Sequence, residues 1–297
     1  MSLESLANFE WFKPRHPFQW LPVPSTLVAG DDEPVDEVAI LVPAKSPFEF
    51  SSYRPMEDAP ALFAALAECD GDDALARFAT KFGTLGLSRD PDFGREPEGK
   101  LPGGMKVRGE SLRHWRDVHR DLQRAVHLWA AIVAEDVQRV EQIGRDFPPI
   151  PGHSASLGPR GGLVYYQNDD DEYHALAQGW PDTHALHYGR LALAQRINNI
   201  LTKPGGVGSI VALADERFSI RLWPRSLLGC AWYQFAAVVE GSAELRRCVA
   251  CEAPFLVTHR SDRRGHRRYC TDACKQRSYR DRRARPRKAT EMTRTRN

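Results

Sequence analysis

The sequence predicts an α+β protein: a mostly helical N-terminal body with a few strands, followed by a small C-terminal module organised by cysteines. Three observations carry this. Long stretches repeat apolar residues at threes and fours, short β-branched runs stop at prolines, and four of the six cysteines crowd into the last fifth of the chain. The 297 residues hold 41 Lys+Arg and 39 Asp+Glu, but the two signs are segregated. Residues 244–297 carry 17 Lys/Arg against 6 Asp/Glu, a net of +11; the remaining 243 carry 24 against 33, a net of −9. At 42% hydrophobic residues the chain has the apolar content of a folded protein, and its length suits about two domains. The densest apolar run, Leu128–Ala134, is closed by His127 and Glu135 and is far short of the roughly 18–20 residues of a membrane span. Residues 1–12 show no basic stretch followed by an apolar block, so no secretory signal is expected. The expected compartment is cytoplasmic, with no membrane partner.

The elements follow in order. Residues 1–34 contain five prolines and the aromatics Phe9, Trp11, Phe12, Phe18 and Trp20, and so predict an extended segment pinned to the body by its rings. Val35–Val42 is a strand that stops at Pro43. Asp58 and Asp72 cap helices over Ala59–Cys69 and Asp73–Phe82, the second closed by Gly83 and Gly86. Residues 88–109, rich in Gly, Pro and charge, read as a loop. Ser111–Ile143 is the longest helical pattern, stopped by Gly144 and Pro148–Pro149. A second loop carries the acidic run Asp169–Glu172. Another helix spans Thr183–Leu201, and Val207–Leu213 with Phe218–Trp223 form a hairpin. Pro224 opens a last body helix, striped by Leu228, Trp232, Phe235 and Val239, that leads directly into Cys248. Cys69 and Cys230 sit on apolar helical stripes and read as buried hydrophobes without a catalytic role.

The other cysteines follow the pattern Cys248-x2-Cys251-x18-Cys270-x3-Cys274. Two close pairs separated by about 15–20 residues have the spacing of a structural zinc site. A tight turn presents the first two thiolates to one ion, and a helix N-terminus at Thr271–Asp272 presents the second two about one turn apart. Phe255–Val257 and His266–Tyr269 then form the arms of a hairpin joined by Thr258–Gly265. Knuckle, hairpin and helix make a treble clef. Four cysteine ligands leave no open position, so the expected Zn2+ is structural. His259 and His266, the nearby substitutes, read as loop residues.

The run Leu245-Arg-Arg-Cys-Val-Ala-Cys251, then Phe255, then Arg267-Arg-Tyr-Cys-Thr-Asp-Ala-Cys274-Lys-Gln-Arg-Ser-Tyr-Arg280 resembles the C-terminal zinc fingers of the CGNR type in bacterial proteins. In this chain Lys275-Gln276-Arg277 stands where that type has Gly-Asn-Arg. The stretch Tyr53-Arg-Pro-Met, with Leu62-Phe63 and Phe78–Gly86, resembles a segment of uncharacterised bacterial proteins ending in such a finger. The finger's resemblance implies DNA binding in a transcriptional regulator; the second resemblance suggests membership of that uncharacterised group and carries over no activity.

After Cys274 the chain is strongly basic, with Asp281 alone opposing Lys275, Arg277, Arg280, Arg282, Arg283, Arg285, Arg287 and Lys288. On a helix these wrap most of the circumference, and Tyr279 turns toward the finger core. A basic zinc module is the footprint of a nucleic-acid binder, DNA being favoured. The candidate contacts are Arg263, Arg264, Arg267, Lys275, Arg277, Arg280 and Arg283. Enzyme signals are weak. Asp169–Glu172 with His174 reads as a solvated loop; His184 with His187, and His114, His119 and His127, lack an H-E-x-x-H arrangement; no Walker loop or nucleophile elbow is present. No catalytic residue is assigned. The organisation expected is a body at 1–243 that takes a small molecule or a protein partner, a four-cysteine zinc finger at 244–285, and a basic, disordered tail at 286–297. The alternative use of the finger is as a protein-interaction or structural module; a third reading is an enzyme with an unrecognised site in the body.

Overall fold

The computed structural model describes residues 9–23, 38–45, 49–59, 61–87, 98–100, 106–145, 154–157, 163–166, 182–214, 217–258 and 267–284. Within them the protein mixes helices with small antiparallel strand pairs, as the sequence predicts. The proline-rich N-terminal segment forms strands β1 (Trp11–Pro14) and β2 (Phe18–Val23). Each has one partner: β1 pairs with β4 (Phe50–Tyr53), and β2 with β3 (Val38–Pro43). Prolines 14 and 22 are tolerated because a strand paired on one side needs half its donors. The expected pinning by aromatics holds for Trp11, Phe18 and Trp20, whereas Phe12 is exposed. Trp11 donates its indole N–H to the Thr84 carbonyl at 2.9 Å, Trp20 to the Asp72 carbonyl at 3.0 Å, and the Tyr53 hydroxyl to the Phe82 carbonyl at 2.6 Å.

Within the span 59–69 predicted as one helix, α2 covers Leu62–Ala67 and starts from Ala61 rather than from Asp58, which ends a separate short helix, α1 (Pro55–Asp58). Helix α3 (Asp72–Phe82) covers its predicted span, but Gly71 and not Asp72 is the cap residue, Asp72 standing in the first turn; Gly83 follows at φ 95°, where an added Cβ would meet the Phe12 carbonyl oxygen at 2.1 Å. The loop expected at 88–109 contains a short pair, β5 (Glu98–Lys100) with β6 (Lys106–Arg108), and a further pair, β7 (Ser154–Leu157) with β8 (Leu163–Tyr166), lies in the second expected loop. The predicted 111–143 helix is broken into α4 (Leu112–Val133) and α5 (Val137–Arg145). The break is a Schellman turn: Glu135 takes φ 54°, its N–H reaches the Ile132 carbonyl at 3.2 Å, and the Asp136 N–H reaches Ala131 at 3.0 Å. Glutamate rather than glycine occupies the left-handed position, so the usual stop signal is missing.

Helix α6 (Asp182–Thr202) and the hairpin β9 (Val207–Ala214) with β10 (Arg217–Pro224) follow the predicted order. Pro224 ends β10 instead of opening a helix. Ser226 is the cap of α7 (Leu227–Val239), its hydroxyl accepting from the Gly229 N–H at 2.9 Å. Helix α7 is buried on nearly every side and is the centre of the main core, against α1, α2 and α6. Gly229 is needed there, because a Cβ would stand 2.3 Å from the Gly206 carbonyl oxygen. Gln234 is fully buried in this helix and matched on both ends: its oxygen accepts from the Leu62 N–H at 2.8 Å and its amide donates to the Ala59 carbonyl at 2.9 Å.

The Phe78–Gly86 segment closes around a buried carboxylate. Glu110 accepts from the backbone N–H groups of Leu85 at 2.9 Å, Gly86 at 2.5 Å and Leu87 at 2.7 Å, and from the Trp115 indole at 2.9 Å. Four donors on one buried carboxylate match the rule that buried charge is kept only where it is hydrogen-bonded. Cys230 is fully buried and burial pushes its thiol well up; Cys69 is half-buried and burial pushes its thiol up to about 11.

Candidate metal centre and basic helix

Helix α7 does not run into Cys248. It ends at Glu240, Gly241 turns the chain at φ 80°, and strand β11 (Ala243–Arg247) intervenes. Strand β11 pairs antiparallel with β12 (Pro254–Thr258), from Ala243↔Thr258 to Arg247↔Pro254. The Cys248–Cys251 turn therefore sits at the tip of a hairpin formed around it. The expected partner of Phe255–Val257 is His266–Tyr269; residues 267–269 form no strand, and His266 lies outside the described residues. The flank of the first pair, rather than the spacer, supplies the second arm.

The knuckle is set by backbone bonds. The Cys248 N–H donates to the Ala253 carbonyl at 3.0 Å and the Glu252 N–H to the Cys248 carbonyl at 2.8 Å, with Glu252 at φ 60°. The second pair is set by a helix cap. Thr271 Oγ1 accepts from the Cys274 N–H at 3.2 Å at the start of α8 (Asp272–Ala284), so Cys270 stands just outside the helix and Cys274 in its first turn. A tether joins the halves, the Val249 N–H donating to the Arg268 carbonyl at 3.1 Å.

The four sulfurs all lie within 4.8 Å of one another. Cys251 to Cys270 and Cys270 to Cys274 are each 3.6 Å. A tetrahedron of thiolates about 2.3 Å from a central ion has edges of about 3.8 Å, so the cage has the size for one metal ion. Cys248 and Cys274 are buried with Phe255 and Val257, while Cys251 is exposed. Burial opposes ionisation of Cys248, but N–H groups of Cys270, Ala250 and Cys251 aimed at its sulfur outweigh it and bring the thiol down to about 6. Cys270 is pushed up to about 12, by burial first and then by its hydrogen-bonded neighbour thiols. Four sulfurs this close cannot all ionise without a cation between them.

Successive residues of the hairpin serve two cores. Phe255 and Val257 face the cysteines, whereas Leu256 and Ala243 belong to the main core of the body. On the body side Arg247 pairs with Glu68 at the end of α2. This contact between finger and body has no local sequence signal, because 179 positions separate its partners.

The candidate basic residues divide into two groups. Arg267 is engaged in the finger itself: its guanidinium lies 5.6 Å from the Phe255 ring centroid and donates to the Tyr269 carbonyl at 3.0 Å and to the Cys270 carbonyl. Arg246 is likewise taken up, by Glu244 at 2.6 Å. By contrast Lys275, Arg277 and Arg280 are exposed on α8, and among the described residues no ion pair or hydrogen bond engages their side chains. Arg283 lies in the last turn of α8, and Arg263 and Arg264 lie outside the described residues. Tyr279 does not turn toward the finger core; it is 54% exposed, and Tyr269 takes that place, its hydroxyl 3.1 Å from Ser278 Oγ.

Of the residues weighed for catalysis, His114, His119 and His127 lie on α4, and His184 and His187 on α6. The acidic run at 169–172 and His174 lie outside the described residues. Among the described residues, the four cysteines are the group of His, Cys, Asp or Glu placed to hold a metal. No helix there is long and apolar enough to cross a membrane. No family model matches the chain, and no curated protein or solved structure shows significant similarity to it.

Proposed function

We propose that this chain is a cytoplasmic zinc-finger protein that binds nucleic acid through α8, serving as a transcriptional regulator whose body receives a small molecule or a protein. The ion is Zn2+, held by Cys248, Cys251, Cys270 and Cys274 in a treble clef. An all-thiolate set of four suits zinc and leaves no ligand position for chemistry, so its role is structural. The observation that carries the reading is the division among the cations. Arg246, Arg247 and Arg267 are spent on holding the finger together and onto the body, while Lys275, Arg277 and Arg280 are exposed on α8 with no carboxylate partner among the described residues. Charge left uncompensated on one helix face attracts a polyanion. Titration of the intact zinc-loaded chain against duplex DNA and duplex RNA at low salt tests it. Binding lost in the triple variant Lys275→Ala/Arg277→Ala/Arg280→Ala supports it, and no binding by the parent protein overturns it.

A second reading is favoured by Leu256 and Ala243, which give the hairpin a share of the body's core. In it the finger is a structural module that closes the end of α7. The same titration separates the two, because a purely structural finger binds no polyanion.

A further inference from the structure

We infer that α8 is a groove-reading helix, with Gln276 and Arg280 facing base edges in the major groove of B-form DNA and Lys275 and Arg277 gripping the backbone on either side. The inference rests on the nucleic-acid reading above and adds to it the kind of duplex and the residues that discriminate sequence. Cys274 and Ser278 mark the face of α8 that packs on the finger, Cys274 buried and Ser278 half-buried. At about 100° of rotation per residue, the opposite direction falls on Gln276 and Arg280. Arg283 falls there too by position. Lys275 and Arg277 are each about 100° from Gln276, one to either side, so the outward face has two long hydrogen-bonding side chains at its centre and a cation on each rim.

That distribution is specific. A surface that holds only phosphate needs no uncharged amide at its centre, yet Gln276 is exposed there between two cations. Glutamine pairs bidentately with adenine and arginine with guanine in the major groove. Asp272, exposed one turn before Gln276 on the same face, repels phosphate and fits a cytosine amino group. Asp281 lies beyond Arg277, turned toward the finger side. An α-helix with its side chains is about 10–12 Å across, and the B-form major groove is about 12 Å wide. The major groove of A-form RNA is too deep and narrow for side chains to read. The occupant that matches both charge and width is therefore duplex DNA.

The test is selection from a random duplex DNA library with the full zinc-loaded chain and with Arg280→Lys, Gln276→Ala, Lys275→Ala and Arg277→Ala, each checked for zinc content and helicity. Arg280→Lys keeps the charge and removes the planar fork. It is expected to lose about tenfold of preference at one G·C pair while binding non-selected DNA as before. Gln276→Ala is expected to relax preference at an A·T pair. Lys275→Ala and Arg277→Ala are expected to weaken all sequences alike. If Arg280→Lys and Gln276→Ala select the parent sequence unchanged, or if duplex RNA is bound as tightly as DNA, groove reading is wrong although nucleic-acid binding stands. If the parent chain binds no nucleic acid, both readings fall.

Discussion

The sulfurs of Cys251 and Cys270 face each other across 3.6 Å, although the two residues are 19 positions apart in the chain. Such proximity of two ionisable groups, with a third sulfur equally close to Cys270, is stable only if the protons stay on or a cation replaces them. The purified protein is therefore expected to contain one equivalent of zinc by elemental analysis. Metal binding in such sites is coupled to folding at about 10–16 kcal/mol in isolated fingers. Cys274→Ala, or a strong chelator, should melt residues 243–284 and abolish the metal signal. Zinc-free protein with an intact finger would refute this.

Thiol chemistry gives an independent check. With metal bound, none of the six cysteines should react rapidly at pH 8. Cys230 is buried and its thiol strongly raised, and Cys69 at about 11 is ionised in roughly one molecule in a thousand at that pH. After chelation four thiols should be alkylated fast, and mass mapping should place them at 248, 251, 270 and 274. Rapid labelling of Cys69 or Cys230 in the native state would contradict the burial assigned to them.

Leu256 and Val257 are neighbours on β12 but belong to different cores, and their truncation should separate the two. Leu256→Ala should cost about 2–4 kcal/mol of body stability, because a buried leucine leaves a cavity in the main core. Val257→Ala should lower zinc affinity and finger protection from exchange, with the body's melting temperature nearly unchanged. If both variants shift the same single transition equally, finger and body fold as one unit and the hairpin is no boundary.

The cysteine spacing made the metal cage legible in the sequence, and the mixed architecture could be read from periodicity. What stayed hidden has physical reasons. The break between α4 and α5 uses Glu135 in a conformation that glycine normally announces, and the apolar stripe continues across it. The hairpin partner of β12 lies before the first cysteine, and strand pairing is not encoded in the spacing of ligands. The use of Arg267 as an internal brace rather than a free cation depends on Phe255, which comes to it only through the fold. The turn after Phe78–Phe82 brings Leu85, Gly86 and Leu87 into place as three consecutive N–H donors to Glu110, 23 or more positions away.

That carboxylate is a sensitive point of the body. Glu110→Gln keeps the shape but replaces an acceptor by a donor among four N–H groups. Hydrogen bonds to charged groups contribute about 1.5–3 kcal/mol each, and an orphaned buried donor costs a similar amount. A loss of about 3 kcal/mol is expected in chemical denaturation followed by Trp115 fluorescence. A loss below about 1 kcal/mol would mean that the site relaxes around the amide.

The division of the arginines predicts two different phenotypes from residues of the same type. Counterion release makes the logarithm of affinity for duplex DNA fall with the logarithm of salt by about 0.9 per neutralised phosphate. Lys275 and Arg277, the two cations placed on the DNA backbone, alone give a slope of about −2, and any further phosphate contact steepens it. Removing either of the two by alanine substitution should flatten the slope by about one while zinc content is untouched, since neither is a ligand. Arg267→Ala should behave otherwise. Its guanidinium is held over Phe255 and by the carbonyls of Tyr269 and Cys270, next to a metal ligand, so its loss should weaken zinc retention under chelator challenge. With zinc saturating, its salt slope should remain that of the parent. An Arg267→Ala protein that keeps its metal but loses one unit of slope would return that residue to the binding face and remove the distinction on which the assignment of α8 rests.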